Sequence, residues 1–221
     1  RRVLPFLRAR GATRIEALVL PHPHADHVGG AAAVMRAVPV GRVIDPGMPA
    51  GSTVYLETLR TAGERGIAWS AARQGRTLHI DGVELTFLWP TADALDAPAD
   101  ANDISAVVLV RFGAFSALLT GDAPSSVEER LVDRYGAAID VDVLKAGHHG
   151  SRTSSSGALL DAATPALAVV SAGARNDYGH PHAEVLARLR ARRVEVARTD
   201  LDGTVRVEVE PGGTEWRRVE P

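Results

Sequence analysis

The sequence predicts an α/β sandwich of two mixed sheets with helices on the outside. Three observations carry this. Apolar runs of strand length alternate with helix-length periodic segments, two pairs of strand-like runs are joined by turn signals, and ligand-type polar residues collect just after strands. In open α/β sheets, ligands gather beyond the carboxyl ends of strands, so clusters in that position can converge on one site.

The elements follow in order. Residues 3–10 read as a helix closed by Gly11, and 15–20 (IEALVL) as a strand. His22-Pro23-His24-Ala25-Asp26-His27 comes next. Val28-Gly29-Gly30 then opens an Ala-rich helix ending before Pro39. Residues 42–45 are strand, 53–65 a helix stopped by Gly66, and 67–71 strand. Segments 76–80 and 83–88, joined by Asp81-Gly82, give a hairpin signal, because Asp-Gly suits a two-residue turn with positive φ. Residues 90–102 are loop by composition, and 104–111 with 115–120 make a second hairpin around Gly113, followed by Gly121-Asp122. Helix is expected at 126–135, strand at 141–145, a Gly/Ser-rich loop at 146–156 and strand at 167–171. A basic amphipathic helix at 183–193 and strands at 194–198 and 204–210 complete the chain. No repeat or linker divides it, so one domain over 1–221 is expected.

Composition narrows the chemistry. The chain has 221 residues, eight histidines and no cysteine. A disulfide framework, a sulfur-ligated zinc site and a thiol nucleophile are therefore excluded. Hydrophobic residues at 45% and charged residues at 24% fit an ordinary globular chain. No apolar run approaches the roughly 18–20 residues that span a bilayer. A net charge of −2 gives no global attraction to polyanions, so a polyanionic substrate would need a local patch or a metal. The chain opens Arg1-Arg2 without Met or a signal segment, which reads as a processed chain or an excerpt.

Seven of the eight histidines fall in three groups, 22/24/27, 148/149 and 180/182, and only His79 stands apart as an expected structural residue. Imidazole and carboxylate are the ligands that borderline metals take when sulfur is absent. In an extended loop the alternate spacing of His22 and His24 points them the same way. Asp26 and His27, where the helix begins, turn toward a second position. One loop can thus serve two ions. Plainer readings stand beside these. Asp122 could cap a helix, ahead of Ala123-Pro124. His148 and His149 could sit in a surface turn, and Asn102 and Ser105 could be turn residues. Arg188, Arg190, Arg192 and Arg193 could be a solvated helix face or a nucleic-acid contact. Lys145 is the one lysine among 25 basic residues.

The motif His22-x-His24-x-Asp26-His27-x-Gly29-Gly30 resembles the signature of the metallo-β-lactamase superfamily. Leu118-Leu119-Thr120-Gly121-Asp122 resembles its "LLTGD" strand end. Leu144-Lys145-Ala146-Gly147-His148-His149-Gly150-Ser151 followed by Thr153-Ser154-Ser155-Ser156 is similar to a segment of ComEC-type competence proteins. Ser171-x-Gly173, Tyr178-Gly179-His180-Pro181 and Thr199-Asp200-x-Asp202-Gly203 continue the pattern, so the resemblance covers roughly residues 1–210.

The resemblance implies a four-layer αββα metallo-β-lactamase sandwich and a metal-dependent phosphodiesterase or nuclease acting on DNA. The implied cofactors are two divalent ions, Zn or Mn. His22 and His24 would bind one ion, Asp26 and His27 the other. Asp122 would bridge them, and His148 or His149 would complete the second site. Asp26 or Asp122 would orient the attacking water. The remaining histidine of the 148/149 pair, His180 and Lys145 would assist catalysis. Asn102, Ser105 and Ser151 would face substrate. Asn102 and Ser105 stand where other branches of the superfamily place a third histidine, and Ile104 where a small polar residue is expected. Members also carry two or three strands before the histidine motif, whereas 21 residues precede His22 here, which implies missing N-terminal strands. The implied partners are DNA or another phosphodiester and a membrane-embedded region of the same parent chain. Two closely spaced ions lower the pKa of a shared water and neutralise charge at phosphorus, so no protein nucleophile is required. The competing readings are hydrolysis of a small ester or lactam, and a degenerate, metal-stabilised DNA-binding module.

Overall fold

Three short parallel strands, β1 (Ile15–Val19), β2 (Val40–Asp45) and β3 (Ala68–Ala71), form a small sheet in that order. The computed structural model describes residues 3–48, 52–96 and 98–219, so Arg1 and Arg2 lie outside the described residues. The chain enters through α1 (Val3–Ala9), and the histidine loop runs from β1 into the single turn α2 (Ala25–Val28). Helices α3 (Ala31–Ala37) and α4 (Thr53–Glu64) cover the outer face of the small sheet. Val28, Ala31, Met35, Tyr55 and Ala62 pack there against Leu20 and Val43. Among the described residues this sheet is wholly parallel rather than mixed as expected, because helices α3 and α4 form both crossovers.

The second sheet has seven strands in the order β10-β9-β8-β7-β6-β5-β4. They are β4 (Thr77–Ile80), β5 (Val83–Trp89), β6 (Val107–Phe112), β7 (Phe115–Leu119), β8 (Val143–Lys145), β9 (Leu167–Val170) and β10 (Glu195–Arg198). Strands β4 to β7 are an antiparallel meander and β7 to β10 are parallel. Asp81 and Gly82 both take positive φ, as the predicted two-residue hairpin requires.

Period-two alternation sorts the side chains of the large sheet between two cores. Leu88, Val107, Leu109, Leu118, Leu144 and Ala168 face outward onto α5 (Ser125–Tyr135), α6 (Gly157–Ala163) and α7 (Ala183–Ala191). Phe87 and Val108 face inward and pack with Ile44 and Ala72 of the small-sheet region. The layers are therefore α, β, β, α. The rest of the inner face, Phe115, Ala117, Val143, Leu167 and Ala197, is covered by a separate antiparallel ribbon. This ribbon is β11 (Arg206–Val209) and β12 (Trp216–Val219), which follow the short α8 (Thr199–Asp202). Its turn meets the β6–β7 turn so closely that a Cβ on Gly113 would fall 1.8 Å from the Gly212 carbonyl oxygen. Neither β12 nor α6 is expected from the sequence.

The strand expected from residue 104 starts at Val107 instead. Residues 101–104 form a tight 3-10 turn, fixed by a reciprocal capping box between Asp100 and Asp103. Arg188 donates to the carbonyls of Arg152, Ser154 and Ser155, and Arg192 pairs with Asp161. Those two arginines of the basic helix are occupied structurally. Among the described residues, no helix is long and apolar enough to cross a membrane.

Candidate metal centre

The histidine loop leaves the carboxyl end of β1, Asp122 follows β7, and His148 and His149 follow β8. All three segments therefore meet at one edge of the sandwich. Their meeting point is a single atom. Asp122 Oδ2 lies 3.2 Å from His27 Nε2, 3.4 Å from His149 Nε2, and 3.9 Å from both His22 Nε2 and His148 Nε2. His149 Nε2 is also 3.2 Å from Asp26 Oδ2, which in turn is 3.6 Å from His27 Nε2. Ligand atoms of Asp26, His27, Asp122 and His149 all lie within 4.8 Å of one another, the spacing of a metal site.

Two hydrogen bonds beneath the cluster prepare its nitrogens. The buried Ser105 Oγ accepts the Asp122 backbone N–H at 3.1 Å and lies 3.1 Å from His22 Nδ1. With the Nδ1 proton directed at Ser105, the His22 Nε2 lone pair points into the cluster. That atom is buried and has no hydrogen-bond partner, and neither does Asp122 Oδ1. Buried polar atoms are rarely left so. His149 Nδ1 is 2.7 Å from the Ser171 carbonyl, which likewise turns its Nε2 toward the centre. The orphaned Nε2 and the nitrogen–oxygen donor set both fit a divalent cation.

The backbone is bent to make this arrangement. His148 and His149 both take left-handed conformations, φ 47° and 55°, which are costly for residues with a Cβ. The loop is held from behind by Glu128, a buried carboxylate that accepts the N–H groups of Ser155 and Ser156 at 2.6 and 2.8 Å. Gly121 has φ 55°, and a Cβ there would lie 3.0 Å from Ser105 Cβ, so glycine lets the turn pass under the site.

The electrostatics follow from the packing. Burial, reinforced by the neighbouring His27, lowers the His22 pKa to about 3. Hydrogen bonds to Asp122 and Asp26 raise His149 to about 9. Its hydrogen bond to His149 lowers Asp26 to about 2. For Asp122, burial works against ionisation, but the hydrogen bonds to His149 and His27 and the charge of Lys145 prevail and keep it ionised. Burial lowers both His148 and His180.

Of the residues singled out from sequence, His22, Asp26, His27, Asp122, His148 and His149 meet here. His24 is exposed, with its ring 4.7 Å from that of His22. Lys145 Nζ donates to the Gly121 carbonyl at 2.8 Å and sits 3.8 Å from Asp122 Oδ1, so it braces the Asp122 turn. Asp122 does not cap α5, whose N-cap is Pro124. Three residues were expected to face substrate. Ser105 faces His22 and Asp122 from below and is too deeply buried to meet a substrate. Ser151 is buried in the loop, bonded to Thr153 Oγ1. Asn102 makes no hydrogen bond to the cluster, and its buried Oδ1 is unpartnered. His180 stands at the rim, 5.7 Å from His148 ring to ring, and His182 Nδ1 accepts the Arg152 N–H. His79 is on β4, beside Glu84 and away from the site. The sequence reading missed Glu128 and named Ser171 only within a motif, with no role. Glu128 had the signal of a carboxylate inside an apolar helical face, whereas Ser171 acts through its backbone carbonyl, which no side-chain type announces.

Residues 1–49 match the family model of the metallo-β-lactamase superfamily. The chain is 37% identical over 217 residues to the "Competence protein ComA" of Neisseria gonorrhoeae, covering 98% of this chain and 28% of that protein. It is 34% identical to the "ComE operon protein 3" of Bacillus subtilis, covering 92% of this chain and 26% of that protein. The first 49 residues thus carry the match to the metallo-β-lactamase superfamily, and nearly the whole chain aligns with these two relatives. The chain spans about a quarter of the length of these curated relatives. Among solved structures, the metallo-β-lactamase fold protein YhfI from Bacillus subtilis aligns with a TM-score of 0.53 at 12% identity, over 89% of this chain and 80% of that one. The layered architecture is thus that of the superfamily.

Proposed function

We propose that this chain is a metal-dependent phosphodiesterase that cuts DNA as part of a DNA-uptake apparatus, joined to a membrane-embedded region of its parent protein. The observation that carries the reading is the convergence of four imidazole Nε2 atoms on Asp122 Oδ2, with His22 Nε2 buried and unpartnered. One relative's name, "Competence protein ComA", speaks of competence, and this supports DNA as the substrate.

Asp26, His27, Asp122 and His149 would hold one divalent ion, Zn or Mn. His22, His24 and His148 would hold a second, with Asp122 shared between the two. Bound ions would supply Lewis acidity, lowering the pKa of water and offsetting charge at phosphorus. The chain's own residues do the rest. Ser105 and Ser171 fix the imidazole tautomers, and Lys145 fixes the Asp122 carboxylate. Asp26, exposed and ionised, is free to orient a water. His180, at the rim beside His148, is the chain's proton donor to the departing oxygen. Metal-loaded protein is expected to fragment DNA in the presence of Mn²⁺ or Zn²⁺. Failure to do so with any divalent ion, by a sample that is folded after chelation and reloading, would overturn the reading.

One observation favours a second reading, a single-metal DNA-binding module. Among the described residues, only the Asp26, His27, Asp122 and His149 group has all its ligand atoms within 4.8 Å. Equilibrium metal counting separates the two. Two tightly held ions per chain support catalysis, while one ion with intact, salt-dependent DNA binding supports the module.

A further inference from the structure

Beside the metal cluster opens a cleft of about 580 Å³, walled on one side by Asp26 and His149 and reaching outward past His180 to Tyr178. Tyr178 is 77% exposed, the most exposed large hydrophobic side chain among the described residues. Its ring is stacked on His180 at 5.6 Å between centroids and 22° between planes. His180 is stacked in turn on His149 at 6.4 Å and 21°. Three near-parallel rings thus climb from the metal cluster to solvent, and the outermost leaves one face uncovered.

Two further features show what that face suits. The segment carrying the ladder is braced, because Asn176 accepts the His180 N–H and donates to the carbonyls of His180 and Gly173. Tyr178 is therefore presented from an anchored loop, and little order is lost when a flat partner lands on it. Among the described residues neither lysine nor arginine lines the cleft, and much of its wall is Ala172, Gly173, Ala174 and Val205. Beyond the metal cluster at its inner end, such a slot offers no counter-charge to a phosphate. It suits an uncharged planar group held by stacking.

We propose that Tyr178 is a stacking platform for a nucleobase that flanks the linkage lying at the metal centre. The proposal rests on the DNA reading above and names the part of that substrate which the cleft takes. Inside a duplex both faces of a base are covered by its neighbours. Only an unpaired or splayed base can lie on Tyr178, so the platform selects single-stranded substrate near the cut. Every base has a π-face, so the preference is for bases over bare backbone, with little regard to sequence.

The test uses the 221-residue chain with its metals loaded and two fluorescent oligomers of equal length, an oligothymidylate and an abasic deoxyribose-phosphate strand. Anisotropy is read before cleavage begins. Wild-type protein is expected to bind the oligothymidylate about tenfold more tightly, on the order of one base–aromatic stack. Tyr178→Ala should bind both oligomers as weakly as wild type binds the abasic one, and Tyr178→Phe and Tyr178→Trp should keep the preference. The salt slope should be unchanged in all variants, because no phosphate contact is removed. A preference for bases that survives in Tyr178→Ala, or that is absent from wild type, overturns the platform. If wild type binds and cuts both oligomers alike, the platform fails while the DNA reading stands. If it neither binds nor cuts either oligomer, both fail.

Discussion

The Nε2 atoms of His27 and His149 face each other across 3.1 Å, although 122 residues separate them in the chain. Two lone pairs cannot approach that closely without a proton or a cation between them. A proton or a divalent ion placed there relieves that repulsion, and Asp122 Oδ2 and Asp26 Oδ2 lie within 3.4 Å of His149 Nε2 to share it.

That exchange sets a pH dependence. His149 is raised to about 9 by Asp122 and Asp26, so below that pH a proton must leave before Nε2 can coordinate. Apparent metal affinity should rise about tenfold per pH unit up to about pH 9 and then level off. Calorimetry in buffers of different ionisation enthalpy should register about one proton released per chain on metal loading at pH 7. Stability of the metal-free protein should run the opposite way. The contribution of a raised histidine is fully present below its unfolded value near 6.5 and is lost as pH rises through about 9. Zero proton release would remove His149 from the ligand set.

Asp122→Ala should abolish hydrolysis and metal retention together, since on the proposed reading one carboxylate serves both ions. His22→Ala should lower the metal count by one and cut turnover by at least about a hundredfold. Wild-type rates in either variant, or unchanged metal content by elemental analysis, would sink the site assignment.

Ser105→Ala should leave the Asp122 N–H and His22 Nδ1 without their shared partner. An unsatisfied buried group costs about 1–3 kcal/mol, readable as a lowered urea midpoint. Because Ser105 touches no substrate, kcat and metal affinity should fall while KM holds. A raised KM with unchanged kcat would instead restore Ser105 to the substrate face.

Glu128→Ala should orphan the N–H groups of Ser155 and Ser156 and release the loop that bends His148 and His149 into left-handed backbone. A loss on the order of 3 kcal/mol is expected, appearing as a Tm lowered by several degrees. Metal affinity should weaken although Glu128 is not a ligand. An unchanged affinity would show that the strained turn holds itself.

The residues that meet at the candidate site were legible because they sit in short, dense motifs at strand ends. The layers were legible because Leu118 and Leu144 lie on one face and Phe115, Ala117 and Val143 on the other, as period-two alternation demands. What could not be read depends on distant partners. The choice between His148 and His149 turns on two positive φ angles and on a carbonyl 22 residues away. Ser105 looks like a turn residue until the fold brings it to His22, 83 residues upstream. Helix α6 escaped notice because its seven residues carry only Leu159, Leu160 and Ala163 toward the core. The ribbon of β11 and β12 had its turn signal in Pro211-Gly212-Gly213, yet the apolar faces beside it are short.

His22, Asp26 and His27 belong to the half of the sandwich built on the small sheet, while Asp122, His148 and His149 belong to the half built on the large one. An ion gripped by both sets is also a rivet through the seam between them. Chelation should therefore do more than silence the centre. The three-stranded half should begin to exchange its amide hydrogens on its own, with β1 and β2 losing protection before β6 and β7.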